Sequence, residues 1–334
     1  MNKGSIWIVR AGKNAAYAED FIEQNFVGIG FGSAGEITTP IEKEALEHQI
    51  SAANPTYSAG KIGNVASQIK RFYDEVQVGD TVMTYDPSRR LYMIGKIKTA
   101  VQDRDHELRR ARAVNWTHQV GRDSLSESTR NTLGSILTLF IVRDAAAEEI
   151  WKRAVLIGQE VDLPEPETTE IFSETDTSVG DIESQAHDLI DDQIAALAWD
   201  QLQELVAEIL KAMGFQAEIS AKGPDRGVDV IASPDGLGLC EPRIFVEVKH
   251  RKGTRISADQ IRAFIGGRQT GDKGLYVSTG GYTKEAKYEA ERSSIPLTLI
   301  DLPKLRSLVL QHYESFSPEG LALVPLKRLY WPAE

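Results

Sequence analysis

Asp229, Glu247 and Lys249 are the residues whose types and spacing could do chemistry. They lie in a stretch that begins GPDRGVDVIAS at Gly223 and ends in IFVEVKH at His250. Asp229 follows a glycine-containing turn and sits in the apolar run Val228, Val230, Ile231. Glu247 stands eighteen residues later, with Lys249 two beyond it. Phe245 to Val248 is β-branched or aromatic except at Glu247, the composition of a strand. Residues two apart on a strand share a face, so Glu247 and Lys249 point one way and Val246 and Val248 the other. If Asp229 opens the neighbouring strand of a hairpin, two carboxylates and one ammonium converge. Two hard oxygen ligands suit Mg²⁺, which keeps several of its waters, and Mn²⁺ can take its place. A lysine beside them can orient or deprotonate an attacking water and steady developing phosphate charge. That is chemistry for hydrolysing a phosphodiester. Glu and Lys two apart on a strand is also the pattern of a solvated sheet edge, so the surroundings must decide.

The surroundings are a set of elements able to hold such a site. In WDQLQELVAEILKAMGF, Leu202, Leu205, Val206, Ile209, Leu210 and Met213 recur at helical spacing as a buried stripe. Gly214 ends this helix as a left-handed cap. Glu204 and Glu208 lie four apart on a side that is exposed or faces a cleft. After the Lys249 strand, Ser257 and Gln260 form a capping box. The helix they open turns Ile261, Phe264 and Ile265 inward and stops at Gly266-Gly267. GLYVSTGGYT reads as a central strand, TKEAKYEAERS as a helix and LTLID as a last strand. The expected fold is α/β, a mixed sheet flanked by helices. His250, Arg251, Lys252 and Arg255 follow the Lys249 strand directly, which suits a polyanionic substrate.

In this order, over about 130 residues, the segment resembles the catalytic domain of the Mrr family of restriction endonucleases, within the PD-(D/E)XK nuclease superfamily. The resemblance implies an endodeoxyribonuclease dependent on Mg²⁺, with Asp229 and Glu247 as metal ligands and Lys249 as their catalytic partner. It implies a glutamate lent by the first helix, for which Glu204 is the candidate, and a polar residue near the scissile phosphate, for which Gln260 is the candidate. The sequence departs from the family in three places. Relatives often carry Gln where Glu247 stands, two glycines where Arg226 stands beside Gly227, and Phe-Glu where this chain has Leu202-Gln203.

The 334 residues are enough for two domains with separate cores. The single cysteine, Cys240, excludes an intrachain disulfide and suits a reducing cytoplasm. No apolar run approaches the ~20 residues that span a bilayer. The net charge of −11 looks wrong for a nucleic-acid enzyme until its distribution is read. Between Ala154 and Leu210 there are fifteen Asp and Glu and no Lys or Arg, so the rest of the chain carries a net +4. The organisation expected is a first domain over 1–157, an acidic flexible linker over 158–192 and a nuclease domain over 193–334.

The first domain reads as a curved mixed sheet with helices against it, a barrel in outline. IWIVRAG, VGIGFG, FYDEVQVGDTVMTY, YMIGKIKTA and ARAVNW resemble the PUA-like superfamily and, within it, the EVE-type domains, over about 115 residues. That resemblance implies nucleic-acid binding, in several members with one base turned out into an aromatic pocket, where stacking offsets the cost of leaving the helix. Trp7, Phe31 and Trp116 are the candidate aromatics and Arg10 a polar contact. Core packing is the alternative role for the tryptophans. Arg109, Arg110 and Arg112, beside His106 and Lys98, form a candidate phosphate-binding stripe in the first domain, and Arg251, Lys252 and Arg255 are candidate DNA-backbone contacts in the second.

Together these features point to a restriction enzyme in which the first domain reads a modified base in double-stranded DNA and the second cuts. One site per chain calls for a homodimer or larger assembly to cut both strands. No Walker loop is present, so no NTP is expected, and no membrane partner. A non-catalytic DNA-binding protein on a nuclease fold, and a nuclease for RNA or branched DNA, are the competing readings.

Overall fold

The computed structural model describes residues 5–31, 37, 41–135, 137–161, 179–220, 228–251 and 253–328. The chain divides into two compact units, residues 1–86 with 91–172 and residues 87–90 with 173–334.

The first unit has strands β1 (Ser5–Val9), β2 (Phe26–Ile29), β3 (Thr81–Asp86), β4 (Leu91–Ile97), β5 (Gln102–Asp103), β6 (Arg110–Gly121), β7 (Leu139–Arg143) and β8 (Val155–Leu156). Its helices are α1 (Ala18–Glu23), α2 (Lys43–Ala53), α3 (Ala59–Lys70), α4 (Glu127–Leu133) and α5 (Asp144–Arg153). The sheet runs β2-β6-β4-β3-β1-β7, with β5 and β8 added to β6, and curls into a half-barrel. Both faces are covered, and the period-two alternation of β1 serves both. Trp7 and Val9 join Phe21, Leu46 and Ile69 on one side, while Ile6 and Ile8 join Leu133 and Ile150 on the other. A register shift between Ile94 and Gly95 bends β4 against β6. Glycine is required there, because an added Cβ would stand 2.6 Å from the Asn115 carbonyl oxygen.

The second unit has helices α6 (Val179–Ala196), α7 (Trp199–Ala212), α8 (Ala258–Gly266), α9 (Lys284–Glu291), α10 (Leu302–His312) and α11 (Pro318–Leu323). Its strands are β9 (Gln216–Ile219), β10 (Val230–Ser233), β11 (Ile244–Lys249), β12 (Lys273–Ser278) and β13 (Leu297–Ile300). They lie in the order β13-β12-β11-β10-β9. β11, β12 and β13 are parallel, and β9 and β10 add antiparallel pairs. The α7 stripe packs with α10 on Val230, Val246, Val248 and Val277. Phe264 of α8 and Ala286 and Ala290 of α9 cover Tyr276 on the opposite face. Met213, expected in the stripe, is exposed, because it is the C-cap residue at the end of α7. Gly214 follows at φ +96°, the left-handed cap expected.

The acidic stretch departs from its expected form. The composition predicts a flexible linker through residue 192, yet residues 179–192 belong to the eighteen-residue helix α6. Ile190, Ile194 and Leu197 enter the core of the second unit at helical spacing. Asp191 is buried in an ion pair with Arg306 of α10. The acidic composition hides a helix that is anchored through Ile190 and Ile194 while Leu189 stays exposed. Residues 162–178, including Ile171 and Phe172, lie outside the described residues.

Candidate active site

The β10–β11 hairpin builds the site. Val230 pairs with Val246, and the Asp229 N–H donates to the Val246 carbonyl oxygen at 2.8 Å. One residue further, Asp229 comes opposite Glu247. Val246 and Val248 are fully buried under α7 and α10. The alternation of the strand therefore turns Glu247 and Lys249 to the face carrying α8.

Lys249 Nζ lies 2.6 Å from Glu247 Oε1. The Tyr276 hydroxyl, on the paired residue of β12, donates to the same oxygen at 3.4 Å. Tyr276 is itself fixed, because the buried Tyr282 hydroxyl donates to its carbonyl oxygen at 2.6 Å. Asp229 is held through both oxygens. Gln203 Nε2 donates to Oδ1 at 2.7 Å, and the Val248 N–H donates to Oδ2 at 2.6 Å. Burial pushes the Glu247 carboxyl above its ordinary range, Lys249 pulls it down, and nearby Asp229 adds to the upward push. Burial and the neighbouring Glu247 likewise raise the Tyr276 hydroxyl, which keeps it a hydrogen-bond donor.

Two carboxylates held close together and partly out of water fit a divalent cation, which would relieve their mutual repulsion. Among the described residues, no group of three or more His, Cys, Asp and Glu could hold a metal. A cation here would therefore draw its protein ligands from Asp229 and Glu247 and keep waters elsewhere, as Mg²⁺ does.

The structure brings together only part of the expected site. Glu204 is exposed on α7, and the neighbouring Gln203, 4% exposed, makes the contact with Asp229. The helix lends an amide where a carboxylate was expected, because the inward face of α7 falls on Leu202 and Gln203. Glu208 does not face a cleft either. It is buried and accepts a hydrogen bond from Ser317 at 2.8 Å. Gln260 serves the start of α8, where its Oε1 accepts the Ser257 N–H at 3.0 Å. Arg251 is exposed and Arg255 half-buried, whereas Lys252 lies outside the described residues. Nothing in the sequence singles out Tyr276 or Arg268. The Arg268 guanidinium stacks on Phe264 at 4.6 Å, and the Glu247 charge favours its protonated form against the opposing effect of burial.

Gly280 positions the basic segment. A Cβ at this residue would overlap the carbonyl oxygens of Arg251 and Thr254. Gly280→Ala is expected to displace that backbone and cost about 1–3 kcal/mol of stability, a loss that denaturant unfolding would measure.

In the first unit Trp7, Trp116, Arg10, Arg110 and Arg112 have structural roles. Trp7 and Trp116 are 8% and 9% exposed and belong to the core. Trp7 Nε1 donates to Asp80 at 3.2 Å and Trp116 Nε1 to the Phe21 carbonyl oxygen at 2.9 Å. Strand alternation turns both rings inward, so neither forms an open pocket. Arg10 donates to the carbonyl oxygens of Ser135 and Leu133. Arg112 is buried and donates to the Phe72, Tyr73 and Thr99 carbonyl oxygens, and buried Arg110 donates to those of Gly30 and Phe31. These three arginines tie backbone together, which takes Arg110 and Arg112 out of the expected phosphate-binding stripe and Arg10 out of the expected base contacts. Arg109 is exposed, and Phe31 is half-buried at φ +59°.

Comparison with known proteins adds the following. Residues 194–309 match the family model Mrr_cat, described as a restriction endonuclease. Residues 7–140 match a domain of unknown function, DUF8426, a match that gives no support to the EVE-type likeness. A 99-residue stretch is 30% identical to the "Uncharacterized protein y4cE" of Sinorhizobium fredii (strain NBRC 101917 / NGR234), covering 28% of this chain. The match spans 25%, a quarter, of the length of that curated relative. Among solved structures, the MspJI restriction endonuclease in complex with a 27-mer oligonucleotide is similar at a TM-score of 0.33 and 13% identity, over 79% of this chain and 69% of that one. The DNA modification-dependent restriction endonuclease AspBHI is similar at 0.31 and 12%, over 90% and 79%. No helix among the described residues is long and apolar enough to cross a membrane. With the match over 194–309 falling on the unit that holds Asp229, Glu247 and Lys249, the C-terminal part of this chain is an Mrr-type restriction endonuclease domain.

Proposed function

We propose that the chain is a divalent-cation-dependent DNA endonuclease whose second unit cuts and whose first unit selects the target. The observation that carries the cutting half is the approach of Lys249 to Glu247, at 2.6 Å, beside Asp229. A cation held by Asp229 and Glu247 would supply charge neutralisation at the phosphate and activation of water. Lys249 would orient the attacking water and steady charge on the phosphate oxygens. Tyr276 and Gln203 hold the two carboxylates in place, and Arg251 and Arg255 draw the backbone in.

Basic residues that read phosphate carry no base code, so selection belongs elsewhere in the chain. We assign it to the first unit, with a modified base as the expected mark. The two tryptophans are not its readers. Phe31 and Arg109 remain as accessible candidates. Cutting both strands with one site per chain calls for two copies. The test is single-turnover cleavage by the full chain of plain duplexes, duplexes with defined base modifications, and RNA, at one salt concentration. The reading expects faster cleavage of one modified duplex than of its plain counterpart. Equal rates on all duplexes would remove the reader, and cleavage of RNA alone would replace the substrate.

A further inference from the structure

We infer that Gln203 is a positioning residue for the cation site. Its amide fixes Asp229 and keeps the site at two carboxylates. The inference rests on the reading of Asp229 and Glu247 as cation ligands. Gln203 is nearly inaccessible on the inward face of α7, and its Nε2 reaches Asp229 Oδ1 at 2.7 Å. The other oxygen of Asp229 takes the Val248 N–H at 2.6 Å. Both donors are neutral, one from a packed helix and one from the strand that carries Glu247 and Lys249. Each carboxylate oxygen has two acceptor positions, so one on each remains after these bonds form. Asp229 is therefore oriented before any cation arrives, without a competing positive charge.

A carboxylate at position 203 would behave differently. Ionised carboxylates only accept hydrogen bonds, so two of them at this separation repel unless a cation or a shared proton lies between them. The amide avoids that repulsion at the cost of a possible third ligand. Glu204, one residue along α7, is exposed and cannot make the same contact while Gln203 occupies it.

The test is Mn²⁺ binding to the full chain by isothermal titration calorimetry, with thermal unfolding of the metal-free protein measured alongside. Gln203→Met keeps the buried volume and removes the donor. Its Mn²⁺ affinity is expected to fall about 10- to 100-fold, as when other groups that orient a metal ligand are removed. Gln203→Glu is expected to lower the metal-free Tm and to gain more Tm from Mn²⁺ than the parent chain does. It also decides the matter if Gln203→Met does not fold. Unchanged Mn²⁺ affinity in a cooperatively unfolding Gln203→Met protein would overturn the inference. So would a loss of affinity in Glu204→Gln that Gln203→Met does not show. Absence of Mn²⁺ binding by the parent chain would instead sink the cation site itself.

Discussion

Lys249→Ala is expected to slow single-turnover DNA cleavage by at least about 10²-fold while the protein still folds and binds DNA. Lys249 contacts Glu247 at 2.6 Å and remains partly exposed, so it is not a core residue whose loss empties a cavity. Removing it leaves Glu247 with the Tyr276 hydroxyl and without its ammonium. Lys249→Met, which keeps the apolar stem, separates the two contributions. If the loss comes from missing charge, both variants fall together. If it comes from packing, Met restores the rate. Cleavage within a few-fold of the parent rate in both would remove Lys249 from the chemistry. The measurement is a rate with enzyme in excess, accompanied by DNA affinity at the same salt.

Trp116→Ala is expected to destabilise the first unit by about 3–5 kcal/mol. The ring is buried in the core between α1 and the sheet, and its N–H is bound to the Phe21 carbonyl oxygen at 2.9 Å. The substitution opens a cavity and leaves a buried acceptor unpaired, two costs that add. Denaturant unfolding would show it as a lower midpoint for the first unit. A base-reading tryptophan would behave oppositely, with stability nearly unchanged and selectivity lost. Full stability in Trp116→Ala would contradict the core assignment.

These two residues also show what the sequence made legible. The strand carrying Glu247 and Lys249 was readable because alternation fixes sides whatever the rest of the chain does. The same alternation told nothing about Trp7 and Trp116, because both faces of the first sheet are covered and an inward aromatic looks like an open one. The α7 stripe was readable from its spacing. Its contribution to the site was off by one residue, since the expectation of an acid favoured Glu204 and a glutamine has no charge to draw attention. The roles of Arg110 and Arg112 are hidden for a related reason. Local sequence shows a basic cluster, whereas most of the carbonyl oxygens that absorb it come from residues about 40 to 80 positions away. Composition also concealed α6, where acidic residues outnumber the few apolar ones that anchor it. Tyr276 could have been found only by pairing β12 with β11, which places it beside Glu247.

Under the proposed function, Asp229 and Glu247 hold a divalent cation with which this chain cuts DNA. The most direct measurement is cleavage of one susceptible duplex by the full chain and by Asp229→Ala, each with Mg²⁺ and with Mg²⁺ removed by a chelator. Cleavage is expected only from the parent chain and only with Mg²⁺, with Asp229→Ala still folded and still binding the duplex. Cleavage by the chelated parent, or by Asp229→Ala in Mg²⁺ at a comparable rate, would contradict it.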